Sequence, residues 1–226
     1  MLWSLRQAFS GKHAHKTLLG FMLFVILINP VVQDIEKVTW IMAALFVLVM
    51  LAAVRTMADK KSHQRVAYVL AFIAIYGQVG ILYFPGPWME GIRDMFTALF
   101  LFTVSAVMLR NVLIQSQVVT ADLIVGAINV YLMIGMAFAF LFAYLELTHP
   151  GSFSGLNAIA GKYNEIDPLL YFSYVTISTL GYGDVTPVSD MATTLSYVEA
   201  IFGQLYLAIL VARLVGLFVI GKSQGS

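Results

Sequence analysis

The sequence predicts an all-α membrane protein with six transmembrane helices and one short helix that enters the membrane between the fifth and the sixth. Of the 226 residues, 60% are hydrophobic and only 11% are charged, whereas a soluble domain carries about 25% charged residues. Six apolar stretches approach or exceed the ~20 residues that a helix needs to cross a bilayer. They comprise residues 17–32, 38–57, 66–84, 92–114, 121–147 and 189–220.

The same composition argues against several other classes of protein. The net charge of +1 provides no general attraction for nucleic acid. The absence of cysteine excludes disulfides and thiolate metal sites, and the four histidines do not cluster with acidic residues. No group of residues typical of catalysis is present. We therefore expect neither an enzyme nor a protein with a cofactor or a small-molecule substrate.

The basic residues predict the orientation in the membrane. Ten of the 13 lysines and arginines lie at the two ends of the chain and in the connections after the second and fourth spans. Only Lys37, Arg93 and Lys162 lie on the other side. Because basic residues collect on the cytoplasmic side, both termini are expected in the cytoplasm of a multi-pass protein. The segment between the fifth and sixth spans then faces outward.

The first 114 residues divide into a terminal segment and a four-helix unit. Residues 1–16 combine apolar and basic side chains, which fits a cytoplasmic tail or an interfacial helix. Residues 17–114 hold the first four spans. No small-residue cleavage site follows the first span, so it is expected to remain as a helix and not to be removed as a signal peptide.

Local signals define the remaining helices. Thr120 is a predicted N-cap for the fifth span. Asp167 as N-cap and Pro168 as first helical residue predict a helix over residues 168–178, which is too short to cross the membrane. Ser189 is a predicted cap for the sixth span.

Residues 179–184 follow the short helix directly and read Thr-Leu-Gly-Tyr-Gly-Asp. Alternating glycines help successive carbonyl groups to point the same way, because glycine accepts positive φ angles. The motif resembles the selectivity filter of the tetrameric potassium channels. The resemblance implies a pore domain over residues 115–226, with an outer helix at 121–147, a pore helix at 168–178 and an inner helix at 189–220.

The resemblance also implies that K+ is bound by oxygens of the filter segment, residues 179–184, with no other cofactor. Asp184 would stand at the outer mouth, where a carboxylate concentrates cations. Leu180 stands where the family usually has valine, but only its backbone carbonyl is used. The implied ion-binding residues are Thr179, Leu180, Gly181, Tyr182 and Gly183.

Aromatic residues of the short helix resemble the cuff that steadies the filter in this family. They are Tyr171, Phe172 and Tyr174. Tyr182 is expected to point away from the pore axis and to pack against the short helix. Val175 occupies the position where some members carry a glutamate that pairs with the outer aspartate, so that pair is expected to be absent.

Gly203 lies 24 residues after Thr179, the position of the gating-hinge glycine in the family. Glycine inside a helix favours bending, and close packing against a neighbouring helix is the alternative interpretation. Gln204 is expected to face the cavity. Four residues at intervals of four are candidates to line the cytoplasmic half of the pore or its gate: Leu207, Val211, Val215 and Val219.

Glu199 places a carboxyl group inside the apolar sixth span, where ionisable groups are costly and often functional. It is a candidate for modulating the filter from behind. The alternative is a structural hydrogen bond to a serine or threonine of the short helix, such as Ser178.

The fourth span lacks the arginines of a voltage sensor, which recur at about every third position because moving charge drives gating. It has only Arg93 and Arg110, near its two ends, where both can reach the interface. Residues 17–114 are therefore predicted to form a voltage-sensor-like domain without sensor charges. Only 13 residues follow Arg213, so no ligand-binding domain is expected after the pore.

One filter segment in each chain cannot enclose an ion, so a homotetramer in a lipid bilayer is expected. The predicted function is passive, K+-selective conduction that is not intrinsically voltage-gated. A weakly selective cation channel is an alternative, opposed by the filter tyrosine, Tyr182. A non-conducting regulatory subunit is another. A channel-like potassium transporter would need four pore segments in one chain.

The expected location is the plasma membrane, and the small size fits a prokaryotic inner membrane.

Overall fold

The computed structural model describes residues 14–32, 38–56, 61–115, 119–156 and 166–223. The α-helices are Ala14–Val32 (α1), Val38–Arg55 (α2), Lys61–Tyr83 (α3), Pro87–Arg110 (α4), Ala121–Thr148 (α5), Asp167–Ile177 (α6) and Asp190–Ser223 (α7). A π-helical turn, Asn111–Gln115, extends α4. Strands Phe153–Ser154 (β1) and Thr186–Pro187 (β2) pair in antiparallel fashion.

Four of the described helices are long and apolar enough to cross a membrane. These segments are Arg65–Tyr83, Pro87–Ile114, Ala121–Thr148 and Asp190–Val219. The protein is therefore a mostly helical, multi-pass membrane protein. The apolar parts described in α1 and α2, Ala14–Ile28 and Trp40–Arg55, are shorter, so the prediction of six spans stays a prediction. The predicted interfacial helix at residues 1–16 lies almost entirely outside the described residues.

Helix α5 lies at the centre of the chain and packs against α1, α4, α6 and α7. The side-chain amide of Asn129 on α5 donates to the carbonyl oxygen of His15 on α1 at 2.8 Å, which ties these helices together. Of the apolar stretch of α5 that is long enough to cross a membrane, 72% is buried within the chain, against 11% of the corresponding stretch of α7. Helix α7 therefore keeps most of its apolar surface available outside its own chain.

Two of the predicted helix caps are confirmed and one is wrong. The hydroxyl of Thr120 accepts from the amide of Leu123 at 3.2 Å, and that of Ser189 accepts from the amide of Ala192 at 3.2 Å. The short helix begins one residue earlier than predicted. Its N-cap position is Ile166 and Asp167 is already helical. Sequence signals do not fix the end of a helix to within one residue.

Helix α4 contains an ion pair near its start. The Nε of Arg93 lies 2.7 Å from the carboxylate of the neighbouring Asp94. The expectation that Arg93 reaches the membrane interface stays a prediction. The Asp94 side chain is buried, and the charged partner compensates its desolvation. Gly77 of α3 lies against the backbone of Arg93 and allows the close approach of the two helices.

Candidate functional site

Helix α6 ends in a Schellman motif at Thr179. The amide of Leu180 donates to the carbonyl oxygen of Val175 at 2.9 Å, and the amide of Thr179 donates to that of Thr176 at 2.9 Å. Thr179 has a φ of 58°, the left-handed conformation that glycine or asparagine usually provides in this motif. For other residues it costs roughly 1–2 kcal/mol. The sequence pattern predicted positive φ at the two glycines of the segment and gave no signal for it at Thr179.

The hand of the backbone alternates through the filter segment. The φ angles of Thr179, Gly181 and Gly183 are 58°, 59° and 81°, whereas Leu180 and Tyr182 do not have positive φ. Successive carbonyls of a strand point to opposite sides. When every second residue has a positive φ instead, successive carbonyl groups turn toward the same side. Alternating conformations align backbone amides in the same way in the anion-binding turns called nests. This backbone is therefore able to present a row of carbonyl oxygens to a cation.

The filter side chains are largely exposed within one chain. Tyr182 is 66% exposed and Leu180 is 55% exposed. Most of Tyr182 lacks cover in the described part of its own chain, so the expectation that it packs against the short helix stays a prediction. Within the described residues, these two side chains are left without a packing surface.

Asp184 at the outer end of the filter segment is held by Tyr171, a contact that the sequence analysis did not anticipate. The phenol of Tyr171 donates to Oδ2 at 2.6 Å, and the amide of Val185 donates to Oδ1 at 3.0 Å. The hydrogen bond from Tyr171 is the main reason why the pKa of Asp184 is below its ordinary value. The carboxylate therefore stays charged at the mouth of the segment.

The other two predicted cuff aromatics hold α6 against the rest of the chain. The ring of Phe172 lies 5.3 Å from that of Phe142 and 5.4 Å from that of Phe153, centroid to centroid. The phenol of Tyr174 donates to the carbonyl oxygen of Leu132 on α5 at 2.9 Å. These contacts fix α6 to the outer helix and to β1, so they position the filter segment from behind.

The outer end of the filter segment is also anchored by the β1–β2 pair. A side chain at Gly155, whose φ is 87°, would overlap the carbonyl oxygen of Asp184. The amide of Val188 donates to the carbonyl oxygen of Ser152 at 2.8 Å. The segment that follows α5 thus supports residues 184–188, and only glycine fits at this close approach.

Gly203 of α7 packs directly against the end of α6. A Cβ atom there would overlap the carbonyl oxygen of Ile177, the last residue of that helix. The close-packing interpretation of this glycine is therefore what the structure supports. Bending at Gly203 during opening stays a prediction.

Gln204, the next residue of α7, reaches the start of the filter segment. Its side-chain amide donates to Oγ1 of Thr179 at 2.9 Å. The predicted pore-lining residues farther along α7 are all exposed in the chain, as an open helix face would be: Leu207, Val211, Val215 and Val219. Of these candidates, the structure brings only Gln204 together with the filter segment.

Glu199 is fully buried and forms the hydrogen bond to a serine of α6 that the sequence analysis gave as the alternative interpretation, although the serine is Ser173 and not the example, Ser178. Its Oε1 lies 2.5 Å from Oγ of Ser173. The hydroxyl of Ser178 instead donates to the carbonyl oxygen of Tyr174 in its own helix. Helices α6 and α7 run in parallel here, so Glu199 meets α6 one turn before the contact of Gly203 with Ile177.

Comparisons with known proteins agree with this geometry. Residues 128–219 match the family described as "Ion channel", a range that includes most of α5, all of α6, the filter segment and most of α7. A stretch of 85 residues is 35% identical to a protein named two pore potassium channel c from Oryza sativa subsp. japonica. The match covers 35% of this chain and 18% of that relative. No solved structure matches.

The fold is that of a multi-pass membrane protein, and residues 128–219 are similar to the ion channel family. The resemblance to the potassium channel family that the filter motif indicated is confirmed.

The hydrogen bond between Tyr171 and Asp184 predicts a measurable shift in acidity. In Tyr171→Phe the largest cause of the lowered pKa is lost, so the pKa of Asp184 rises toward that of a solvated aspartate. NMR titration of the Asp184 carboxyl carbon in detergent measures the change. Tyr68→Phe, on the exposed surface of α3, is the control and should leave this pKa where it is. An unchanged or lower pKa in Tyr171→Phe would contradict the geometry.

Proposed function

We propose that the protein is a homotetrameric, K+-selective channel of the plasma membrane, with both termini in the cytoplasm, that conducts ions passively and has no intrinsic voltage sensor. The observation that carries this proposal is the alternating backbone at residues 179–183. A row of carbonyl oxygens replaces the hydration shell of a dehydrated K+ ion. Residues Thr179, Leu180, Gly181 and Tyr182 supply these carbonyls, and Gly183 and Asp184 complete the outer end.

The arrangement of the helices supports four copies of the chain around one axis. A single filter segment faces an ion from one side only, so several copies must converge to surround it. Much of α7, together with Leu180 and Tyr182, is exposed in the described part of the chain. Burying them between subunits would remove a large apolar surface and give Tyr182 the packing that the described part of its own chain does not provide.

Gln204 tunes the inner end of the filter in this proposal. The Thr179 hydroxyl is the innermost oxygen available to an ion, and it accepts a hydrogen bond from Gln204. This bond leaves one lone pair of Oγ1 for the cation. It also holds the side chain of a residue whose backbone conformation is costly for threonine.

The ion pair on α4 supports weak voltage dependence. Gating charges must move through the membrane field, at ~2.3 kcal/mol per charge for every 100 mV. Arg93 is paired with the adjacent Asp94 on the same helix, so moving α4 transports almost no net charge from this pair. Arg110 alone adds too little charge for steep gating.

Purified protein in liposomes should pass K+ much faster than Na+, and barium should block the flux. Gly181→Ala should reduce K+ flux at least about tenfold. An alanine with the φ of 59° seen at Gly181 is strained by roughly 1–2 kcal/mol in each subunit. Gly20→Ala is the matched control, because a side chain at Gly20 meets nothing within 4 Å. Comparable Na+ and K+ flux, or equal flux in the two variants, would refute the proposed filter.

Cross-linking of the protein in detergent should yield a tetramer as the largest species. The exposed apolar face of α7 provides the association surface. Ile209→Glu places a charge on α7 away from the predicted pore-lining residues, at a residue that is 50% exposed in the single chain, and should weaken assembly. Trp88→Glu, on the exposed start of α4, is a control that should leave the tetramer intact. A stable monomer or dimer of the unmodified protein would exclude the proposed pore.

Single-channel recording should show an open probability that changes little with voltage. The expected steepness corresponds to about one gating charge per subunit or fewer, since α4 offers only Arg110 beside its internal ion pair. A steep dependence equivalent to several charges per subunit would show that the first four helices do sense voltage.

A further inference from the structure

One buried hydroxyl joins three helices behind the filter segment. Oγ of Ser173 on α6 lies 2.5 Å from Oε1 of Glu199 on α7 and 2.5 Å from the carbonyl oxygen of Gly135 on α5. The side chains of Ser173 and Glu199 are both 0% exposed. We call this chain of contacts the carboxyl clasp.

The number of protons available to the two contacts of Ser173 indicates whether Glu199 is neutral or ionised. A serine hydroxyl carries one proton, and the carbonyl of Gly135 can only accept. If Glu199 were ionised, both neighbours of Oγ would be acceptors, and one of the two short contacts would hold no proton. A neutral carboxylic acid satisfies both contacts. Glu199 then donates to Ser173, and Ser173 donates to Gly135.

The surroundings of the clasp agree with a neutral acid. Helices α5 and α6 and strand β2 pack against α7. The titratable groups that they direct toward Glu199 are the phenols of Tyr131 and Tyr174, which interact with it electrostatically. A buried carboxylate needs a compensating charge, and phenols provide none. Within the described residues, Oε2 of Glu199 has no hydrogen-bond partner, which is costlier for an ionised oxygen than for a neutral one.

The clasp acts at a sensitive position. Ser173 lies in the middle of α6, whose C-terminal end delivers Thr179 to the filter segment, while Gly135 and Glu199 belong to the two long helices on either side. A change in the clasp shifts α6 relative to both helices. The hydrogen bond of Glu199 is to Ser173 and not to the filter segment, so its effect on the filter passes through α6.

We propose that Glu199 is a positioning residue that, as a neutral acid, clasps α6 between α5 and α7 and thereby sets the geometry of the filter segment. The effect of Glu199 on conduction rests on the proposed function, whereas its hydrogen bonding does not. One measurement therefore tests the hydrogen bonding and a second tests the effect on conduction.

The first measurement is infrared spectroscopy of the purified protein at neutral pH. The spectrum of the unmodified protein minus that of Glu199→Gln should show the carbonyl band of a protonated carboxylic acid. Ser173→Ala should move this band to higher frequency, because its hydrogen-bond partner is lost. A missing band, or a band that Ser173→Ala leaves unshifted, would overturn the clasp whether or not the protein conducts.

The second measurement is the ratio of K+ to Na+ flux in liposomes. Glu199→Gln should keep the ratio within about twofold of the unmodified protein, because its amide can still donate to Ser173. Glu199→Ala and Ser173→Ala should each lower it about tenfold, the factor that 1.4 kcal/mol represents. The matched control is Ser196→Ala, since Ser196 is buried on α7 but bonds only the Ala192 carbonyl of its own helix.

The outcomes separate the two proposals. If the unmodified protein passes no K+, the proposed channel function fails while the infrared band still decides the clasp. If it conducts selectively and both alanine variants behave like the unmodified protein, Glu199 does not position the filter. Should Glu199→Ala not assemble, Ser173→Ala carries the test alone, with its oligomeric state checked by gel filtration.

Discussion

The close approach of Gly203 to the carbonyl oxygen of Ile177 sets the register between α6 and α7. Both helices run in the same direction there, so contacts on either side of this crossing follow from it. One turn earlier, Glu199 meets Ser173. One residue later, Gln204 reaches Thr179. A side chain at position 203 would push the helices apart and break both contacts, which makes the absence of a side chain there a structural requirement.

The filter segment takes its conformation from the way in which α6 ends. The Schellman motif needs a left-handed residue, and Thr179 fills that position at a cost of roughly 1–2 kcal/mol. Hydrogen bonds from the amides of Thr179 and Leu180, and from the side chain of Gln204, offset the cost. The same left-handed residue starts the alternation that Gly181 and Gly183 continue. The left-handed conformation of Thr179 therefore both ends α6 and begins the alignment of the carbonyl groups.

Sequence patterns predicted the parts of this structure that depend only on residues close together in the sequence. Thr120 and Ser189 cap their helices as expected because capping is local. The contact of Tyr171 with Asp184 was missed, because it depends on how the chain folds back after α6. A hydrogen bond from Glu199 to a serine of α6 was one of the two interpretations of that residue and is confirmed. Choosing Ser173 over Ser178 requires the register that Gly203 sets. The left-handed Thr179 was missed because threonine rarely adopts that conformation.

The central claim is that residues 179–183 of four chains surround a line of K+ ions with backbone carbonyl oxygens. The most direct measurement is a structure of the assembled protein in Rb+, whose anomalous scattering distinguishes ions from water. The account predicts peaks in a row on a fourfold axis, between the carbonyls of Thr179 and Tyr182, and no such row when Na+ replaces Rb+. Carbonyls that face lipid or protein, with no ion on a symmetry axis, would contradict it.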